Sequence, residues 1–210
     1  MKPDDTGSTL RVGKYLISSE VNGPGRRFVI WLQGCEFRCL DCFNDEFHDP
    51  SRGKPYKTTE LALLIAEAGE IEGITLSGGE PLLQAQSLIP LLLWVKNAGL
   101  SIVCYTGWTM DELLNGSVPY GRELVDLCDI LIDGRFDKSM RSPLLWRGSH
   151  NQQVHFLSGR YRREYAGLAN QAQKQRTEIL VGNGNVSMTG IFAADLWERL
   201  QKKLLTRSQL

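Results

Sequence analysis

The chain has 210 residues, 42% hydrophobic and 23% charged, with 24 basic and 24 acidic side chains and a formal net charge of zero. That length suits one domain with a sizeable core and a small appendage, and the charge balance gives no pull toward nucleic acid or an anionic membrane surface. The opening MKPDDTGSTL is acidic and lacks the apolar core of a signal peptide, and the longest apolar stretch, Leu88 to Val95, is far too short to span a bilayer, so the expected location is the cytoplasm.

In chain order, residues 9–17 and 27–33 read as strands around the turn signal Asn22-Gly23-Pro24-Gly25. A cysteine-bearing loop follows the second strand directly. Thr58 and Thr59 are placed to cap a helix that carries Leu61, Leu64, Ile65 and Ala68 on one side. Gly73 to Leu76 is a short strand running into Ser77-Gly78-Gly79-Glu80-Pro81, and a Leu-rich helix follows from about Ser87 to Asn97, with Gly99 as its stop signal. A strand at Ser101 to Tyr105, helices near Met110 to Leu114 and Arg122 to Leu127, and strands at Asp129 to Asp133 and Gln153 to Leu157 complete this part. Strands alternating with helices at this spacing predict parallel βα units.

From about Ser158 the texture changes. Residues 160–178 are rich in Arg and Gln and are expected to connect rather than pack. Thr177 to Val181 and Val186 to Ile191 predict a hairpin around Gly182-Asn183-Gly184-Asn185, and Leu196, Trp197 and Leu200 a closing helix. The expected division is residues 1–157 as one domain and 158–210 as an appendage of linker, hairpin and short helix.

The chemistry concentrates in Cys35, Cys39 and Cys42, spaced C-x3-C-x2-C with no fourth cysteine nearby. Five cysteines, three of them clustered, fit a reducing compartment and a metal site better than a disulfide framework. A closed structural zinc site takes four protein ligands, and a [4Fe–4S] cluster normally takes four thiolates. Three thiolates leave one iron open to a small molecule, as in clusters that bind S-adenosylmethionine (SAM). The rival reading is half a zinc site completed by His48, His150 or His155, since Cys104 and Cys128 sit in apolar, strand-like contexts. Ser77, Gly78, Gly79 and Glu80 end a strand where glycines bring backbone groups close to a ligand and Glu80 adds charge for an ammonium, although a Gly-Gly pair is often only a tight turn. Tyr105 and Thr106 end the next strand and suit the methionine or ribose part of such a cofactor, or simply a polar turn. Asp133, Arg135, Arg147, His150 and Asn151 are as compatible with a surface or structural role as with a functional one. These motifs all fall at strand C-termini, where βα barrels place their chemistry.

Cys35-x3-Cys39-x2-Cys42 with Gly78-Gly79-Glu80-Pro81 resembles the radical SAM signature and that superfamily's motif for the SAM amino group. Val21-Asn22-Gly23-Pro24-Gly25-Arg26-Arg27, Cys42-Phe43-Asn44, Tyr105-Thr106-Gly107-Trp108, Leu131-Ile132-Asp133-Gly134 and above all Leu145-Trp146-Arg147-Gly148-Ser149-His150-Asn151-Gln152 resemble, in order, the activating proteins of anaerobic ribonucleoside-triphosphate reductase. The resemblance covers about residues 10–157. Asp41 stands before the third cysteine, where many radical SAM proteins have an aromatic residue, and Phe43 follows it, as in the activators. The resemblance implies an α/β fold of the incomplete (βα) barrel type. It implies a [4Fe–4S] cluster on Cys35, Cys39 and Cys42, and SAM held by Asp41, Cys42, Phe43, Ser77, Gly78, Gly79, Glu80, Tyr105 and Thr106. The implied activity is reductive cleavage of SAM to a 5′-deoxyadenosyl radical that installs a glycyl radical on a partner reductase. No side chain is required as acid or base, and a flavodoxin- or ferredoxin-like protein would donate the electron. Two alternatives are the same chemistry on another protein or small molecule, as in 7-carboxy-7-deazaguanine synthases, and a non-enzymatic Fe–S or zinc module.

Overall fold

A computed structural model describes residues 7–174, 176–182 and 185–191, and the single positions 196, 199 and 202. Seven strands, β1 (Thr9–Ser19), β2 (Arg27–Leu32), β3 (Lys54–Lys57), β4 (Gly73–Gly78), β5 (Ser101–Tyr105), β6 (Ile130–Asp133) and β7 (Gln153–Phe156), form one sheet in the order β3-β1-β2-β4-β5-β6-β7. β2, β4, β5 and β6 are parallel to one another; β3, β1 and β7 add antiparallel edges. The helices are α1 (Thr58–Ala66), α2 (Ala85–Asn97), α3 (Met110–Leu114), α4 (Gly121–Leu127) and α5 (Gly159–Tyr165). The class is mixed α/β, as the alternating pattern predicts. Among the described residues no helix is long and apolar enough to cross a membrane.

Strand alternation sorts the side chains onto two unlike faces. Phe28, Ile30, Leu32, Ile74, Leu76, Ile102, Cys104 and Leu131 join Leu61, Ile65, Leu88, Leu92, Val95 and Leu124 of the helices in the main core. The opposite face bears Val29 and Trp31 with Phe47, and Val103, Ile130 and Ile132 with Trp146 and Tyr161. It also bears an arginine. Arg27 is fully buried and donates from Nε to Thr75 Oγ1 (2.8 Å) and from its terminal nitrogens to Pro24 O, Ile74 O, Ser101 O and Ser101 Oγ. A guanidinium out of water persists only when its donors are matched in this way.

The structure departs from the sequence reading in four places. β3 is an edge strand containing Pro55, a residue that argues against strand and is tolerated only at an edge. The start of α1 is satisfied not by a threonine hydroxyl but by Glu60, which accepts from the Lys57 backbone N–H at 2.8 Å. The segment expected to connect instead begins with α5, capped by Ser158. Tyr161 of α5 is 5% exposed and hydrogen-bonds Ser101 Oγ at 2.8 Å, because its ring has the apolar face of β5 and β6 to cover. Third-strand parallelism also stops short: β7 returns antiparallel to β6. The expected hairpin is present as β8 (Thr177–Gly182) and β9 (Asn185–Gly190), a separate two-stranded sheet. Leu196, Arg199 and Lys202 are helical, whereas Asn183, Gly184, Trp197 and Leu200 lie outside the described residues.

The arginine network makes a stability prediction. Arg27→Met removes five hydrogen bonds while leaving their buried acceptors in place, and it should lower the unfolding free energy by roughly 3 kcal/mol. Denaturant titration of the metal-free protein measures this directly.

Candidate cluster and cofactor cleft

The cysteine loop leaves β2 at Leu32 and returns to β3, and its two ends are clasped. Gly34 N donates to Phe47 O (2.8 Å) and Cys35 N to His48 O (3.1 Å). Gln33, 4% exposed, donates its side-chain amide to Asp49 O at 2.8 Å and accepts at its own carbonyl from Gln84 Nε2 at 3.0 Å. Phe47 is buried against Trp31, ring centroids 6.4 Å apart, which anchors the return limb in the sheet. Between these limbs the chain turns tightly, with Arg38 and Asp41 at φ 46° and 54°, a conformation uncommon outside glycine.

Cys35, Cys39 and Cys42 are all half-buried and line one cleft of about 1250 Å³, a volume that includes its open mouth. Burial raises the Cys35 pKa and pushes that of Cys42 up to about 11, so without metal these groups are thiols. Metal loading would release their protons. Among the described residues no three His, Cys, Asp or Glu side chains converge on a point that would hold a single metal ion. Three thiolates on one cleft, with Cys104 and Cys128 buried in the core, are a donor set that fits a [4Fe–4S] cluster with one iron left open. Of the histidines offered to zinc, His48 alone lines the cleft; His155 faces Asp133 Oδ2 at 2.9 Å, and His150 is on an exposed turn.

The end of β4 is built into the base of this loop. Gly79 N donates to Leu32 O and Glu80 N to Gly34 O, both at 2.7 Å. A Cβ on Gly79 would lie 2.1 Å from Gly34 O. The glycine is therefore required by the chain's own backbone, beyond any approach to a ligand. Glu80, 1% exposed, then reaches across to the end of β5: its Oε1 accepts from Leu82 N and Thr106 Oγ1, both at 2.9 Å, and its Oε2 from Gly107 N at 2.8 Å. Burial pushes the Glu80 pKa up to about 7 against the pull of those donors.

The far side of the cysteine loop is held by the segment after β6. The Arg135 guanidinium lies 4.4 Å from the Phe37 ring centroid, and Phe37 packs where a side chain on Gly107 would stand. Arg141 lies 4.8 Å from the Phe43 centroid, and Phe43 meets Phe136 edge-on at 5.3 Å. Lys138 pairs with Asp41.

Cys42, Phe43, Ser77, Gly78, Gly79, Glu80, Tyr105 and Thr106 thus share the cleft with Cys35 and Cys39, and Asp41 lies off it on the Lys138 side. Asp133 is tied up by Met110 N (2.8 Å) and Gln153 N (3.1 Å), and Arg147 by Gln152 O (2.9 Å) and Asn170 Oδ1 (3.2 Å), which gives both structural roles. Sequence reasoning missed Asn22, Trp31, Phe136, Gln152 and Thr189 as cleft residues. The signal for Gln152 was present in the run from Leu145 onward, whereas nothing in the hairpin sequence pointed to Thr189.

A family model described as a 4Fe-4S single cluster domain matches residues 21–155. The chain is 34% identical over 158 residues to the anaerobic ribonucleoside-triphosphate reductase-activating protein of Salmonella typhimurium, covering 70% of this chain and 99% of that protein. It is 34% identical over 147 residues to the protein of that name from Escherichia coli K12 (65% and 92% covered) and 30% identical over 140 residues to that of Enterobacteria phage T4 (64% and 86%). With its three-cysteine loop inside the matched span, the chain belongs to the family of anaerobic ribonucleoside-triphosphate reductase-activating proteins.

Proposed function

We propose that the protein is a radical SAM oxidoreductase that installs a glycyl radical on an anaerobic ribonucleotide reductase. The observation that carries this is the convergence of three cysteines, the Gly78–Glu80 strand end and Thr106 on one cleft at the C-terminal ends of parallel strands. Cys35, Cys39 and Cys42 would hold three irons and leave the fourth open. When bound, the cluster supplies the electron that splits SAM into methionine and a 5′-deoxyadenosyl radical. Glu80 is the carboxylate for the SAM ammonium: three donors occupy it, and a carboxylate has about four lone-pair sites. Ser77, Gly78, Gly79, Tyr105, Thr106 and Phe43 form the remaining surface for the cofactor, and Asp41 acts through the loop it pins. Phe37, Phe43 and Trp108 keep water from the loop. The electron would come from a flavodoxin- or ferredoxin-like protein, in the cytoplasm. The strands β2, β4, β5 and β6 would be the core of an incomplete (βα) barrel spanning residues 1–157, with 158–210 added to it; the family match ending at residue 155 supports that division.

The direct test is anaerobic incubation of the reconstituted, reduced protein with SAM and its reductase. A glycyl-radical signal by electron paramagnetic resonance is the expected result, and SAM cleavage without it would reassign the substrate. Cys35→Ala, Cys39→Ala and Cys42→Ala should each abolish stable cluster assembly, whereas Cys104→Ser and Cys128→Ser, which alter buried core thiols, should leave iron content intact.

Two further outcomes follow from the strand-end geometry. Gly79→Ala should cut iron loading as well as SAM binding, because its methyl would displace Gly34 at the root of the cysteine loop; iron and SAM titrations on the same sample separate the two effects. Glu80 holds its proton to about 7 when folded, against an ordinary value of 4.5. Between those values the folded protein binds a proton that the unfolded chain has released, so stability falls as pH rises through this window. Glu80→Gln should flatten that slope, as read from denaturation midpoints of metal-free protein at pH 5 and pH 8.

A further inference from the structure

The family match stops at residue 155 and leaves the hairpin β8–β9 without a role. The hairpin nevertheless reaches the cleft: Met188, Thr189 and Gly190 of β9 and the following Ile191 line it together with the three cysteines and Gly78–Glu80. It is fastened there to the segment before β2. Thr189 is 6% exposed and Asn22 9%. Asn22 Nδ2 donates to Thr189 Oγ1 at 2.9 Å, and Thr189 Oγ1 donates to Asn22 Oδ1 at 3.2 Å. Glu178 of β8 accepts from Glu20 N at 2.7 Å. The Arg176–Glu20 pair at 3.7 Å is solvent-exposed and contributes little.

The Thr189–Asn22 contact is the one with consequence, since both groups have given up water and depend on each other. Asn22 cannot drift to follow the hairpin. Its Nδ2 also donates to Ser19 Oγ at 2.8 Å, and its carbonyl accepts from Thr75 Oγ1 at 2.8 Å. Thr75 in turn accepts from the buried Arg27. The hairpin is thus attached to the rigid floor of the sheet through two side chains. Around this polar contact the wall is apolar, with Val21, Met188 and Ile191 on the cleft. A thioether and an aliphatic chain offer a substrate packing and no competing donors.

We infer that β8–β9 is a wall of the cleft, that Thr189 latches it to Asn22, and that Met188 and Ile191 are specificity-determining residues. Met188 and Ile191 give the substrate segment an apolar surface to pack on at the side of the cleft facing the cysteine loop's floor. The choice of substrate rests on the proposed function; the wall and its latch do not.

Two measurements test this. The first uses the full, metal-free chain and the rate at which a bulky maleimide labels Cys35, Cys39 and Cys42, with buried Cys104 and Cys128 as internal controls. Thr189→Val keeps the shape and loses the hydroxyl with both its hydrogen bonds to Asn22, and should speed labelling at least about fivefold, the effect of about 1 kcal/mol on an open–closed equilibrium. Thr189→Ser keeps the hydroxyl and should label at the wild-type rate. Equal rates in all three chains overturn the latch. The second uses cluster-loaded protein with the partner reductase and reads glycyl radical formed per SAM cleaved. Met188→Trp should lower that ratio by about tenfold through misplacement of the substrate segment. An unchanged ratio overturns the specificity role. Absence of SAM cleavage in the wild type overturns the proposed function and the substrate assignment with it, while the labelling rates still decide the latch.

Discussion

The cleft depends on two backbone hydrogen bonds, Gly79 N to Leu32 O and Glu80 N to Gly34 O. They extend the parallel pairing of β2 and β4 past the end of the sheet, so that the first residues of the cysteine loop behave as one more rung of the ladder. A loop that must present three thiolates at fixed spacing needs a rigid root. Here the root is main chain, and the cost is that no side chain fits at Gly79. Glu80 carries the same rigidity sideways to β5 through Thr106 and Gly107. Three strand ends are therefore locked to one another by groups that are themselves buried.

The two faces of the sheet do different work. The helix side is an apolar core and accounts for folding. The other side could have been equally apolar, and at Val29, Val103, Ile130 and Ile132 it is. Its polar members, Arg27, Thr75 and Ser101, are joined by hydrogen bonds to each other and outward to Asn22 and Tyr161. Tyr161 and Thr189 both follow the family-matched span, so the same network that floors the sheet receives the segment after residue 155 at two points. A satisfied polar network of this kind fixes a single arrangement where apolar packing alone would tolerate several. That is suited to a segment that has to be placed against a reactive site.

The alternation of β4, β5 and β6 with helices was legible because each has a short apolar run bounded by a turn signal. The three cysteines and Gly78–Glu80 were legible because their spacing has few other uses. What escaped detection is instructive. β3 contains a proline that local rules read as a strand breaker, and only its position at the sheet edge reconciles the two. Residues 159–165 contain three arginines, and the composition masked the two tyrosines that pack. Thr189 and Asn22 are separated by 167 residues, and no local pattern marks either as a partner of the other. Asp41 shows the converse: its place beside Cys42 suggested the cofactor, while its side chain turns outward to Lys138.

Charge links these observations. The chain as a whole is neutral, yet the cysteine loop is flanked by Arg135, Lys138 and Arg141 from one short segment. On loading, the three thiols must give up their protons, Cys35 and Cys42 against the burial that favours their neutral form, and the loop gains negative charge. Arg135 and Arg141 lie over the faces of Phe37 and Phe43, rings that belong to that loop, so they are held close to it without being neutralised by one of its own carboxylates. Lys138 is spent on Asp41, which removes the one acidic group that would otherwise stand between the second and third cysteines. Arg141, and Arg135 with Glu112 3.6 Å from its guanidinium, are thus the cations set beside the charge that appears when the thiols ionise. Arg135 lines the cleft beside Phe37, Phe43 and Phe136, so on this side cation and aromatic rings form one wall next to the thiols.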